Sequence, residues 1–292
     1  MRHFLLICVL LGGLGVAAAQ NLPSPLTPPP ILVPQVINVY PHDGQAFTQG
    51  LLWHNGKLYE STGKRGFSSL REVDLTTGEV LRIVNVSRPE SELTGNNPLP
   101  DYFAEGLTLL GDRLIQLTWT EGQVFVYDLE TFEKVDTLTY EGEGWGICYD
   151  GRYLFMSDST SYLQVRDPDT FELIVRFGVL FVSRNDQTGE TRVDLIPAQL
   201  LNELECVGDY IYANLWRTDL IAQIDKRSGD VVAFIDASGL LTNEEIIAAR
   251  QRDPGATLNG IAYNPETDTF YITGKMWDKL FEVRFVPAQR RP

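Results

Sequence analysis

A strand-starting segment recurs along this chain, as FTQGLLW (47–53), FAEGLTL (103–109), GEGWGICYD (142–150), LNELECVGD (201–209) and TLNGIAYN (257–264). In the first two copies an aromatic residue, a small residue, a polar residue, Gly and Leu lead into a short apolar strand. A turn signal (Asn55-Gly56 or Gly111-Asp112) and a second strand follow. Each start is trailed by two or three further β-rich runs, such as RLIQLTW, QVFVYDL and EKVDTLTY in the second unit. Five starts spaced about 40 to 60 residues apart match the four-stranded units of a repeat architecture, so the predicted fold is all-β, a five-bladed β-propeller. In such a ring the polar residues at the strand starts converge near the axis.

A second pattern supports the repeat. In LREVDLTTGEVL (70–81), VFVYDLETFEKV (124–135), LQVRDPDTFELI (163–174) and IAQIDKRSGDVV (221–232) an apolar strand ends in Asp and a turn. An Asp there accepts hydrogen bonds from turn amides, so Asp74, Asp128, Asp167 and Asp225 read as structural. The last unit ends on KLFEVRF (279–285) and lacks an outer strand; VPQVINVY (33–40) is expected to supply it and close the ring, removing an exposed edge. Thr242 and Glu245 form a capping-box pattern, which predicts one short inserted helix over 243–252, ending before Pro254, with its apolar side over one face of the ring. The segment 87–102 is a long loop ahead of a strand start, where a rigid β scaffold usually carries binding. Asn85-Val86-Ser87 is a glycosylation sequon whose use depends on the host.

The first residues carry Arg2 and His3, an apolar run from Phe4 to Val16 broken by glycines, and Ala17-Ala18-Ala19. This reads as a signal peptide over 1–19, and the protein is expected to be secreted or periplasmic, with no membrane insertion after cleavage. Six prolines between Pro23 and Pro34 make 20–34 an extended linker, leaving 35–292 as a single propeller domain. With 24 basic against 39 acidic residues, the net charge of −15 disfavours a nucleic-acid partner and favours solubility. A closed, strongly acidic ring is expected to be a monomer. Cys148 and Cys206 could pair in an oxidising compartment; because they occupy equivalent strand-start positions of different repeats, they are expected to be two buried thiols.

His42 and His54 have no partner at metal-ligand spacing, and neither a Gly-x-Ser-x-Gly elbow nor a phosphate-binding Walker loop is present. What remains is a set of polar and aromatic residues at or near the strand starts: Gln49, Glu105, Trp119, Trp145, Asn202, Glu205, Trp216, Asn259 and Lys275. Any one tryptophan could simply pack between blades. Glu105, flanked by Phe103 and Leu107 at a strand start, is costly without a use or a partner.

At these residues the sequence resembles the plant and bacterial type of glutaminyl-peptide cyclotransferase, the glutaminyl cyclases unrelated to the zinc-dependent animal enzymes. The resemblance is carried, in order, by FTQGL (47–51), FAEGLT (103–108), LTW (117–119), GEGWG (142–146), LNELE (201–205) with ANLW (213–216), and LNGIA (258–262) with TGKMWDKLFEV (273–283). It implies a five-bladed propeller that needs no metal or other cofactor and converts the N-terminal glutamine of peptides or proteins to pyroglutamate with loss of ammonia. By the same resemblance Glu105 is the acid/base carboxyl, and Gln49, Asn202 and Lys275 are polar contacts to substrate. Trp119, Trp145 and Trp216 form an aromatic pocket with Phe47 and Phe103 nearby. Two other readings compete: a propeller glycoside hydrolase using paired carboxylates from among Glu105, Glu143 and Glu205, and a non-catalytic binding propeller of the cell envelope.

Overall fold

The computed structural model describes residues 27–94, 99–185 and 192–288. The expected signal peptide, 1–19, and the start of the expected linker lie outside the described residues. The chain opens with strand β1 (Ile31–Pro41) and then lays down a sheet of β2 (Thr48–His54), β3 (Lys57–Thr62), β4 (Ser69–Val73) and β5 (Val80–Asn85). A short helix, α1 (Glu90–Leu93), stands inside the segment expected to be loop, so the described residues hold two helices where one was expected. It leads to a second sheet of β6 (Ala104–Leu110), β7 (Arg113–Thr118), β8 (Gln123–Asp128) and β9 (Lys134–Thr139). The third sheet is β10 (Ile147–Tyr149), β11 (Leu154–Ser157), β12 (Tyr162–Arg166) and β13 (Leu173–Gly178), followed by a hairpin of β14 (Leu180–Asn185) and β15 (Arg192–Pro197) that the repeat pattern did not foretell. The fourth run is β16 (Leu201–Val207), β17 (Tyr210–Leu215), β18 (Leu220–Asp225) and β19 (Val231–Asp236). Helix α2 (Asn243–Arg252) then precedes β20 (Leu258–Asn264), β21 (Thr269–Gly274) and β22 (Lys279–Pro287).

All five recurring segments therefore start a run of antiparallel strands. The N-terminal strand β1 takes the outer place beside β22, in antiparallel register from Leu32 opposite Pro287 to Pro41 opposite Lys279. Its first residues also pair in parallel with β19, Ile31 opposite Phe234 and Leu32 opposite Ile235, so the last two runs join into one eight-stranded sheet. Strand β1 begins inside the segment read as a linker. Beyond Leu32 it pairs only with β22 among the described strands, and Pro34 falls in that singly paired part, where a missing N–H is tolerated.

The first strands of the five runs neighbour one another: β2 packs on β6, β6 on β10, β10 on β16, β16 on β20, and β20 on β2. Glycine allows this approach. A Cβ on Gly50 would stand 2.4 Å from the amide nitrogen of Leu107, and one on Gly146 would stand 2.1 Å from the carbonyl oxygen of Asn202. The fourth first strand carries Glu203 at the corresponding place. Its buried carboxylate accepts the N–H of Leu51 (3.3 Å) and of Ile261 (2.9 Å), stapling β16 to β2 and β20. Burial pushes the Glu203 carboxyl well above the usual carboxylate range and nearby Glu205 adds to the rise, while those two N–H groups oppose it.

The four aspartates at the hairpins do what their spacing implies. Asp74, Asp128, Asp167 and Asp225 each accept the amide N–H groups two and three residues on. The predicted helix is α2 to the residue, with both capping-box bonds formed between Thr242 and Glu245. Its apolar side packs on the body through Ala249, which joins the core cluster of Trp277 and Leu258, while Ile247 is 56% exposed. Charge adds to the hold, with Arg252 bidentate to Asp278 at 2.6 Å and Lys279 paired with Glu245. His42 is buried, bonded through Nε2 to Glu60 (3.1 Å) and through Nδ1 to the carbonyl of Trp277 (2.8 Å), a structural junction where β1 meets the first sheet.

Cys148 and Cys206 form a disulfide, with Cα atoms 5.4 Å apart, and not two separate thiols. The reason is geometric: β10 and β16 are packed neighbours, so similar places in adjacent repeats lie side by side. The bond closes a loop spanning 58 positions. Loop-closure entropy puts its contribution at about 4 kcal/mol. Denaturant titration of a Cys148→Ala/Cys206→Ala variant should show a loss of that order; an unchanged midpoint and slope would contradict it.

Candidate active site

The site is made by a local irregularity repeated at the strand starts. Register breaks fall between Thr48 and Gly50, Ala104 and Leu107, Leu201 and Leu204, and Leu258 and Ile261. A bulge re-aims the side chain it carries. Those side chains are Gln49, Glu105, Asn202 and Asn259, each buried. A second recurrence places the residues at the far ends of the second strands. The backbone N–H groups of Gly63, Trp119, Trp216 and Lys275 donate to the carbonyls of Phe47, Phe103, Leu200 and Thr257, at 2.8, 2.8, 2.9 and 2.9 Å. One backbone motif, used in different repeats, thus delivers an indole, another indole and an ammonium to the same place.

Of the eleven residues singled out in the sequence, the nine that the resemblance assigns to the site, Phe47, Gln49, Phe103, Glu105, Trp119, Trp145, Asn202, Trp216 and Lys275, line one cavity of about 200 Å³, together with Lys64 and Gly255, while Glu205 and Asn259 do not. That volume is below the roughly 300 Å³ at which drug-sized pockets begin, and suits a single amino-acid residue. Asn259 lies beneath the lining, bonded to the carbonyl of Thr48 (3.0 Å).

Glu105 is 4% exposed, and its Oε1 accepts a hydrogen bond from Gln49 Nε2 at 2.9 Å. The Gln49 amide is turned that way because its Oε1 faces the Nδ2 donor of Asn259 at 3.4 Å. Among the described residues no cation lies within ion-pair distance of Glu105. Burial pushes its carboxyl well above the usual carboxylate range, Lys275 pulls it back, and Glu121 and Glu143 add to the rise. Lys275 is itself buried and pushed down to about 8, chiefly by desolvation, with Glu105 opposing. Its Nζ stands 4.9 Å from the centroid of the Phe47 ring, and Lys64, paired with Asp253 at 2.6 Å, lies 4.0 Å from the same ring. The Oδ1 atoms of Asn202 and Asn259 are buried without a partner. An unpartnered buried acceptor is costly, and one on the cavity wall is available to a ligand's N–H.

The aromatic walls are tethered. Glu143 Oε2 accepts both the Trp119 and the Trp145 indole N–H at 2.9 Å, which holds two walls from one carboxylate. Trp145 meets Trp216 edge to face at 5.2 Å, and Phe103 meets Phe47 and Trp119 at 6.1 and 5.7 Å. Glu143 was visible in the sequence only as a possible second catalytic carboxylate. Its bond to two indoles, and the absence of Glu205 from the cavity lining, leave Glu105 as the lining carboxyl. Glu205 instead accepts the N–H of Tyr263 at 2.7 Å, and burial pushes it up to about 8. Lys64 was not singled out; its one sequence signal is its place just after the second strand of the first repeat. Among the described residues no group of three or more His, Cys, Asp or Glu side chains is arranged to hold a metal ion.

Known proteins resemble this chain over most of its length. A glutaminyl-peptide cyclotransferase from Arabidopsis thaliana is 36% identical over 259 residues, which span 88% of this chain and 72% of the plant protein. The crystal structure of Myxococcus xanthus glutaminyl cyclase matches with a TM-score of 0.73 at 37% identity, covering 89% of this chain and 100% of that one. The model of the glutamine cyclotransferase family matches residues 6–285, and the chain belongs to that family.

Proposed function

We infer that the protein is a glutaminyl-peptide cyclotransferase, closing the N-terminal glutamine of a peptide or protein to pyroglutamate with release of ammonia. The observation that carries this reading is a lone lining carboxyl, Glu105, held by Gln49 in a tryptophan-walled cavity the size of one residue. The substrate brings its own nucleophile. Its α-amine attacks its side-chain amide carbon, forming the ring C–N bond, and the amide C–N bond then breaks. Intramolecular closure already has the advantage of proximity, so the protein must chiefly hold the folded conformer, which is the work of the tethered aromatic walls. Glu105 takes the proton that the amine loses on attack and returns it to the departing nitrogen, which leaves as ammonia. A carboxyl raised toward the working pH suits both halves of this transfer, a contribution of roughly a hundred- to ten-thousandfold in rate. The unpartnered Asn202 Oδ1 accepts a substrate N–H, and the Lys275 ammonium stabilises the oxygen that becomes negative in the tetrahedral species.

The cyclic contact order of the first strands and the pairing of β1 with both β22 and β19 support five blades in a ring closed by the N-terminal strand. The disulfide, with the apolar leader over 1–19, supports a location outside the cytoplasm.

Glu105→Gln keeps the shape and the bond to Gln49 but cannot carry a proton. It should lower kcat on a glutaminyl peptide by at least about a hundredfold, and a coupled ammonia assay showing a near-normal rate would refute the assignment. The same variant should change the pH dependence of stability. The folded pKa of Glu105 lies above the unfolded value, so the native state keeps a proton that the unfolded state has lost, and stability falls as pH rises from about 4.3 toward the folded value. Thermal melts of the variant should fall less over that window than those of the wild type; parallel curves would count against a raised pKa. Glu143→Ala, which frees two indoles, should raise KM about tenfold with a smaller loss in kcat. An unchanged KM would show the tether to be dispensable.

A further inference from the structure

The cavity holds one residue, yet the substrate is a chain whose remainder must leave through the mouth. A second concavity, of about 810 Å³, adjoins the first and shares Phe47 and Lys64 with it. It runs across the end of the first sheet. Thr62 at the end of β3 pairs with Ser69 at the start of β4, and Ser69 pairs with Asn85 at the end of β5, so one row of the ladder leads outward from the cavity. Thr62, Asn85 and Ile83 line this groove, and the loop between β3 and β4 rises beside it. That loop carries Phe67, which is 81% exposed although its backbone is tied down, Phe67 N–H and Ser68 Oγ both donating to the Lys64 carbonyl at 2.9 Å. Ile83 on the outer strand is 53% exposed. A rigidly presented ring and an isoleucine along one track continuous with the cavity amount to an apolar surface without a partner in the fold.

We propose that this groove binds the substrate residues that follow the N-terminal glutamine, and that Phe67 and Ile83 select peptides with apolar side chains there. The proposal rests on the cyclotransferase reading. From β3 to β5 is two strand spacings, about 10 Å. An extended peptide covers that with about three residues, so residues 2 to 4 of the substrate lie in the groove. Recognition is apolar and not ionic, because the cations lining the track are already paired, Lys64 with Asp253 at 2.6 Å, Arg65 with Glu121 at 2.7 Å and Arg71 with Asp43 at 2.8 Å.

Steady-state kinetics on a series from glutaminamide to glutaminyl hexapeptides, with Ala or Phe at positions 2 to 4, test this. For the wild type, KM should fall with length up to about the fourth residue and then level, and Phe should lower it further than Ala. Phe67→Ala should raise KM for the Phe-bearing peptides about fivefold and leave glutaminamide turnover unchanged, while Ile83→Ser should act only on the longer peptides. No turnover of glutaminamide or of any glutaminyl peptide would defeat the cyclotransferase reading itself. Normal glutaminamide turnover with KM independent of length, or variants that leave all substrates unchanged or impair all equally, would overturn the groove while leaving that reading intact.

Discussion

The structure depends on how closely its first strands approach one another. Where Gly50, Gly106 and Gly146 stand, the neighbouring backbone lies so near that a side chain would collide with it. Where Glu203 replaces glycine, its carboxylate spans the gap and binds two other first strands by their amides. Burying such a group is expensive unless its oxygens find donors, and here both do. Close approach concentrates the strand starts, and the register breaks beside those positions turn Gln49, Glu105 and Asn202 into a common cavity.

The cavity works against stability in a way that serves chemistry. Glu105 has no ion-pair partner among the described residues, Lys275 is depressed to about 8, and two asparagine oxygens lack partners. Each is a cost that a well-packed core would avoid, and three of them, Glu105, Lys275 and the Asn202 oxygen, line the cavity where a glutamine can use them. The surroundings are correspondingly rigid: Asn259 orients Gln49, Glu143 ties two indoles, and a shared backbone bond positions Trp119, Trp216 and Lys275.

Much of this was legible in the residues. The five strand starts, the four turn aspartates and the capped helix each follow from local chemistry that acts within a few residues, so a pattern search finds them. Nine of the eleven lining residues were legible because the repeat places equivalent positions together and a family resemblance named them. What escaped depends on contacts between distant repeats. Glu203 looks like one more charge in an acidic chain until its two amide partners, more than fifty residues away on either side, are in place. The Cys148–Cys206 bond was misread because equivalent places were taken to be remote, whereas adjacent repeats bring them within 5.4 Å. The expected linker end became part of β1 because pairing with β22 outweighs the reluctance of Pro34 to enter a strand. The hairpin β14–β15 interrupts the repeat and so had no period to betray it.

The central claim is that Glu105 is a buried carboxyl, raised well above the usual carboxylate range, that exchanges a proton with the substrate. Difference infrared spectroscopy, wild type minus Glu105→Gln, reads that proton directly through the carboxylic-acid carbonyl stretch. The account predicts an acid band that persists from about pH 4 well past the ordinary carboxylate range and is absent from the variant. A carboxylate spectrum already complete near pH 5 would contradict it.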